Sequence, residues 1–489
     1  MATLAILGVV FACIVILLYL HCKHKFNYWK SRGVPHKKPA FLFGNILNAA
    51  LSPYPIGLYI SKLCGKFGNS PYFGFYSFTR PFLILKDPDI IKHILVKDFA
   101  AFPNRLEDAP WEPILNNTLF AMKSPKWKEL RTQLTPVFSS AKIRLMMSLI
   151  IECGKNMEEY LTMKVGENLE VKEICSKFMA DVISSCAFGI NGNSFQHENS
   201  DLRKHGEMVL PNTIICYLKM AAYFFTPAAV RLLKFSLFNM ESVQFFKYTY
   251  RTVIKQRTQD EVGRKDLLDI LSKNPFFCHE SNDDLLIANP IVFFIAGFET
   301  TGTAISLALH ELGVNPNIQS KLRAEIASVI GRHGGLTFEA VNEMKYLHMV
   351  ISETLRKYPV TPIIPREATE DYEIRKTGLI IEKGTQIIIS HDALHKDPKY
   401  FPNPEVFDPE RFSESNVHSI NSYTYLPFGK GPRNCIGERF ALLTAKVGII
   451  YALTKFMVHT NSNTTDPMEF SRSLFLTAKH GVNLTFTRI

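Results

Sequence analysis

The sequence predicts a mostly α-helical fold with a smaller β portion, built as one large domain behind an N-terminal membrane anchor. Three observations lead there. Residues 1–22 contain no Lys, Arg, Asp or Glu. Apolar residues recur at helical spacing from about 125 to 330 and again from 340 to 358, whereas strand-like alternation is confined to short patches. Beyond residue 45 no long Ser/Gly/Pro linker, internal repeat or low-complexity block divides the 489 residues.

Thr3 to Leu20 is almost wholly apolar, at the short end of a bilayer-spanning helix. Lys23, Lys25, Lys30 and Arg32 follow it. A cleaved signal carries its positive charge in front and a small-residue site behind. Here the charge lies behind, and Tyr19, Leu20 and His21 offer no such site. Residues 1–22 are therefore expected to be an uncleaved anchor, with the basic flank and the rest of the chain in the cytosol. Residues 23–45 carry Gly33, Pro35, Pro39 and Gly44 among basic residues and are expected to form a hinge. The domain proper then runs over 46–489.

Within that domain, Tyr72 to Leu85 alternates and reads as a strand pair. Strand-like patches also cover Tyr372 to Ile381, Thr385 to Ile389, and Leu484 to Phe486. Residues 283–313 predict one helix of about 30 residues, started by Asp283 and Asp284 where the dipole is positive and ended near Gly313 and Pro316. It is apolar almost all round, which places it in the interior, and Pro290 is expected to bend its first half.

Lys plus Arg outnumber Asp plus Glu by 56 to 45. No long basic run and no nucleic-acid module accompanies that excess, so a membrane surface or an acidic protein fits it better than nucleic acid. None of the nine cysteines forms a C-x-x-C pair, which argues against a structural zinc site or a cysteine-held iron–sulfur cluster. Their irregular spacing suits a reducing compartment. His391 and His395 stand four apart, but Asp392 and the following Asp397-Pro398 make the segment read as a turn, not a zinc helix.

The most specific stretch is Phe428-Gly429-Lys430-Gly431-Pro432-Arg433-Asn434-Cys435-Ile436-Gly437. Gly429 and Gly431 allow a tight turn and a close approach to a flat ligand. Arg433 offers a bidentate fork for a carboxylate. Cys435 precedes a helical segment, and a thiol at a helix N-terminus is expected to have a depressed pKa and to serve as a thiolate ligand. Within the long helix, Glu299 and Thr300 are polar residues in an apolar run, and Thr300 can bond back to the carbonyl of Ala296. Glu353 and Arg356, three apart, share one helix face.

That ten-residue loop matches, at every defined position, the loop F-G-x-G-x-R-x-C-x-G of the cytochrome P450 haem-thiolate proteins. Glu353-Thr354-Leu355-Arg356 is similar to their E-x-x-R, Pro409-Glu410-Arg411-Phe412 to their P-E-R-F, and Ala296-Gly297-Phe298-Glu299-Thr300 to their A-G-x-E/D-T. The matches fall in family order, and the chain most resembles the insect microsomal group. The resemblance implies the cytochrome P450 fold, haem b with its iron on Cys435, and monooxygenation of an apolar small molecule by dioxygen. Glu299 and Thr300 would relay protons, and Glu353, Arg356 and Arg411 would form a buried ionic triad. The haem propionates would be met by Trp127, Arg131, Arg366 and Arg433, in a cradle completed by Phe428, Gly429, Gly431 and Gly437. Substrate contacts would come from Phe102, Leu106, Trp111, Phe120, Phe294, Phe298, Ile363, Ile364, Leu474 and Phe475. The stretch Tyr223 to Pro227 would dip into the membrane.

The chain carries no dinucleotide fingerprint, so electrons must come from a partner, by resemblance an NADPH-dependent flavoprotein reductase of the endoplasmic reticulum membrane. Lys126, Lys128, Lys430 and Arg439 are the basic residues that could dock it. Two alternative functions would also fit this loop. A haem-thiolate isomerase or dehydratase would turn over peroxides without reductase. A haem-containing carrier would bind ligand without chemistry.

Overall fold

The computed structural model describes residues 2–489 apart from 107–108, 110, 198–199, 261–265, 269–270, 272–274, 279–282 and 474. Helices dominate. Nine strands occur among the described residues: β1 (Tyr72–Ser77), β2 (Arg80–Leu85), β3 (Asn168–Glu170), β4 (Ile364–Glu367), β5 (Tyr372–Ile374), β6 (Leu379–Ile381), β7 (Gln386–Ile389), β8 (Phe456–Thr460) and β9 (Asn483–Arg488). The largest sheet has the order β1-β2-β7-β4. β2 and β7 pair in parallel, with Phe82 opposite Gln386, across about 300 residues of intervening chain. β3, β9 and β8 form a second sheet, and β5–β6 a third.

The first helix runs Ala2–Phe26, longer than the expected anchor, and its apolar side chains are exposed almost throughout. Of the two helices among the described residues that are apolar and long enough to cross a membrane, the other is the interior helix Asp283–Val314, two thirds buried over its most apolar window. That long helix packs most extensively against the helix Val171–Ile183, and both contribute to the main core. Its continuous apolar circumference is what an element surrounded by protein needs.

Residues 23–45 do not form the expected hinge. Trp29 is fully buried and lies so close to Gly74 on β1 that a Cβ there would sit 2.3 Å from its ring. The Trp29 amide donates to Tyr76 Oη (3.0 Å), and that hydroxyl donates to the Phe26 carbonyl (3.0 Å). Val34 is buried in the same cluster. A glycine- and proline-rich composition permits a hinge, but burying an indole on a β-sheet outweighs that freedom.

Candidate active site

The loop leading into the helix Glu438–Thr454 forms one wall of a cavity of about 460 Å³. The Cys435 amide donates to the Phe428 carbonyl (2.8 Å), closing the loop. Gly429 and Gly431 both have positive φ, +69° and +78°. Gly431 does not face the cavity as the sequence suggested. A Cβ on it would fall 1.9 Å from the Leu95 carbonyl oxygen, so it is needed for packing against the His93–Lys97 turn. Phe428, Gly429 and Gly437 do face the cavity.

The Cys435 thiol opens into the cavity and is otherwise enclosed by protein. Its pKa is not depressed as expected from its helix N-terminus. Burial pushes it up, while the Gly437 amide and the Arg105 and Arg131 guanidiniums pull it back. Ionisation therefore depends on a positive partner at the sulfur.

Four guanidiniums line the same cavity: Arg105, Arg131, Arg366 and Arg433. Among the described residues, no carboxylate pairs with any of them. Arg433 donates to the carbonyls of Pro103, Leu119, Phe120 and Met122 and lies 4.1 Å from the Trp127 ring centroid. Arg131 donates to the Asn434 carbonyl and side chain, both at 2.9 Å. Arg105 donates to the Arg433 carbonyl at 2.6 Å. Among the described residues, Arg366 reaches only the neighbouring Pro365 carbonyl, and its buried Nε has no partner. Burial and the other three arginines push Arg433 down to about 8. A guanidinium keeps its proton in practice, so this is unbalanced positive charge awaiting an anion. Arg433 itself is largely committed to backbone carbonyls, which leaves Arg105, Arg131 and Arg366 better placed to take up carboxylates. Arg105 was not singled out from the sequence; its signal was a lone cation in the otherwise uncharged run Phe102-Pro103-Asn104-Arg105-Leu106.

A thiol beside unpaired buried guanidiniums fits a flat dianionic cofactor whose metal takes a sulfur ligand. Haem, with two carboxylates and one iron, is such a group.

On the opposite wall, Ala296, Gly297, Thr300 and Thr301 of the long helix face the cavity. Thr300 Oγ1 donates to the Ala296 carbonyl at 2.5 Å, which leaves the oxygen lone pairs open to the cavity. Glu299 turns away, as one residue of helix demands. Its carboxylate sits 3.2 Å from Lys172 Nζ and is about a quarter exposed.

The same phase rule sorts the aromatic residues. Phe294 and Phe298, four apart, stack on each other in the core (5.7 Å) and are not on the cavity wall. Phe102 packs against Tyr372 in the cluster behind the large sheet, and Trp111 against the main core. Leu106, Phe120, Ile363, Ile364 and Phe475 do line the cavity. Leu474 lies outside the described residues. Tyr223, Phe224 and Phe225 also line the cavity. The exposed large apolar residues of their helix are Ile214, Ile215 and Leu218, in its first half.

Behind the cysteine loop, Glu353 and Arg356 are fully buried and joined twice, at 2.7 and 2.8 Å. Arg411 approaches Glu353 at 3.3 Å, and the Asp408 amide donates to the same oxygen at 3.0 Å. Arg356 also donates to the carbonyls of His395 and Pro404. Burial pushes the Glu353 carboxyl up against the pull of Arg356. His391 to His395 is a short buried helix, not a turn, and His391 faces the cavity.

Fold and site together define a haem-thiolate monooxygenase. The family model for cytochrome P450 matches residues 34–486, and the chain belongs to that family. It is 38% identical to cytochrome P450 6k1 of Blattella germanica, over 98% of this chain and 96% of that protein. It is 37% identical to probable cytochrome P450 6a13 of Drosophila melanogaster, over 96% of each. Cytochrome P450 6j1 of Blattella germanica is 36% identical over 98% of this chain and 97% of that protein. Membership makes the protein an oxidoreductase of the monooxygenase class with a haem iron cofactor.

Proposed function

We propose that the protein inserts one atom of dioxygen into an apolar small molecule, by hydroxylation or epoxidation, while anchored in the endoplasmic reticulum membrane with its domain in the cytosol. Electrons come from NADPH through a flavoprotein reductase of that membrane. The observation that carries the reading is Cys435 opening onto a cavity lined by four arginines that no described carboxylate balances.

Haem bound there supplies the redox centre at which dioxygen is activated. Cys435 serves as the thiolate ligand. The Gly437 amide, Arg105 and Arg131 stabilise its negative charge. Arg105, Arg131 and Arg366 hold the haem carboxylates, and Arg433 fixes the loops around them. Thr300, its own proton engaged with Ala296, accepts a hydrogen bond from a group in the cavity. Glu299, in contact with Lys172 at the outer side of the helix, delivers protons from solvent. The wall of Leu106, Phe120, Ile363, Ile364 and Phe475 offers apolar contact with few fixed polar groups, which suits an apolar substrate. Lys126, Lys128, Lys430 and Arg439 are all exposed and could meet an acidic reductase surface.

The test is a carbon monoxide difference spectrum of the reduced protein beside Cys435→Ser. A Soret band shifted well to the red of that of histidine-ligated haem, and lost in the variant, is expected. A folded, haem-loaded parent without that band refutes the thiolate assignment. NADPH consumption with reductase and an apolar substrate then separates the monooxygenase from a carrier. Turnover of a lipid hydroperoxide without NADPH would favour the isomerase.

A further inference from the structure

Besides the cysteine loop and the long helix, two further walls of the cavity come from distant parts of the chain. One is the loop holding Leu106, Leu115, Thr118, Leu119 and Phe120. The other is the helix Ile214–Phe225 with Leu237 and Phe238. Phe120 and Phe224 meet edge-on across them, with ring centroids 6.3 Å apart. Near this seam lies a carboxylate that the proposed chemistry does not use. Glu112 belongs to the first wall and is only 2% exposed.

A buried carboxylate is costly unless its oxygens are bonded. Among the described residues, every hydrogen-bond donor to the Glu112 carboxylate belongs to the second wall. The Leu237 amide donates to Oε2 at 3.0 Å, Ser236 Oγ to Oε1 at 3.1 Å, and Tyr223 Oη approaches Oε2 at 3.4 Å. These partners are more than 110 residues away in sequence. The two hydroxyls have second acceptors: Ser236 Oγ lies 3.0 Å from the Phe238 carbonyl, and Tyr223 Oη 2.9 Å from the Phe235 carbonyl. If the walls part, both hydroxyls keep a partner and the carboxylate gains water. The clasp can therefore open without stranding a hydroxyl.

Resting on the reading of this cavity as the substrate chamber, we propose that Glu112 is a positioning residue that clasps the two walls and so controls which ligands enter and leave. The clasp restrains bulky molecules that must separate the walls and leaves diatomic gases unhindered.

The experiment uses the full-length, haem-loaded protein and two probes followed by stopped-flow absorbance: a triphenylmethyl imidazole and carbon monoxide. Glu112→Ala is expected to speed both binding and release of the azole by about tenfold, the kinetic equivalent of one lost hydrogen bond to a charged group, with affinity changing much less. Carbon monoxide binding stays at the parent rate. Glu112→Gln, which retains an oxygen for the Leu237 amide, falls nearer the parent. Hydrogen exchange at Leu237 rises in Glu112→Ala. Should Glu112→Ala fail to load haem, Ser236→Ala, which deletes a single contact, decides the matter by a smaller acceleration of the same two azole rates. Unchanged azole rates, or equal acceleration for carbon monoxide, overturn the clasp. If the parent lacks the red-shifted Soret band, it is the functional reading that has failed instead.

Discussion

Two buried clusters of charge lie close to the cysteine loop, and they are built on opposite plans. Glu353, Arg356 and Arg411 form a closed set: the carboxylate is answered by two guanidiniums and a backbone amide, and Arg356 spends its remaining donors on carbonyls. Arg105, Arg131, Arg366 and Arg433 form an open set, cations with carbonyls as partners and no described acid among them. The closed set braces the fold with what the chain itself provides. The open set stores an imbalance that an anionic cofactor would relieve. The same residue type, buried to a similar degree in Arg356 and Arg366, is answered by an acid in one place and by none of the described acids in the other.

The comparison predicts effects of opposite sign. The largest comes from Glu353→Gln, which strands Arg356 and Arg411. A loss of about 3–5 kcal/mol is expected, seen as a lower midpoint in urea and poor recovery of haem-loaded protein. A variant of parental stability would mean the triad braces nothing. Arg366→Met should do the reverse to the cofactor-free protein, stabilising it by about 1–3 kcal/mol because an uncompensated buried charge is gone. Its haem should nevertheless transfer to apomyoglobin faster than from the parent. An apoprotein destabilised by the change would show that the open set is already balanced without a ligand.

A smaller effect tests the loop between the clusters. Gly431→Ala places a methyl group against the Leu95 carbonyl and requires a left-handed backbone, costing about 1–3 kcal/mol by thermal melting. Gly437→Ala meets nothing closer than 3.8 Å and should cost less. The smallest change in stability, below about 1 kcal/mol, is expected for Thr300→Val, which loses one hydrogen bond to Ala296. Its mark would be functional: less product per NADPH consumed, with haem content unchanged. Full coupling in Thr300→Val would remove the hydroxyl from the proton path.

Much of this was legible beforehand. The long helix, the strand pair at 72–85 and the cysteine loop all follow from spacing that short-range geometry enforces: a period of 3.6 residues, alternation, or a glycine where φ is positive. Glu353 and Arg356 were legible as a pair from spacing alone, whereas their burial followed only from the family resemblance, since three-residue spacing is equally good on a surface.

What the sequence determined by itself was therefore the local order of elements and the kinds of chemical group available to the site. Tertiary structure decided which side of each element those groups face and what they meet. A rotation of 100° per residue separates Thr300, on the cavity, from Glu299, on Lys172, and Phe293 from Phe294. Trp29 became part of the core because Gly74, 45 residues on, leaves room for its ring. Arg105 and Glu112 gained their settings from Arg433, Ser236 and Leu237, partners more than 120 residues away in the chain. Contacts at such separations arise only when distant segments pack together, and no local pattern in the sequence encodes them.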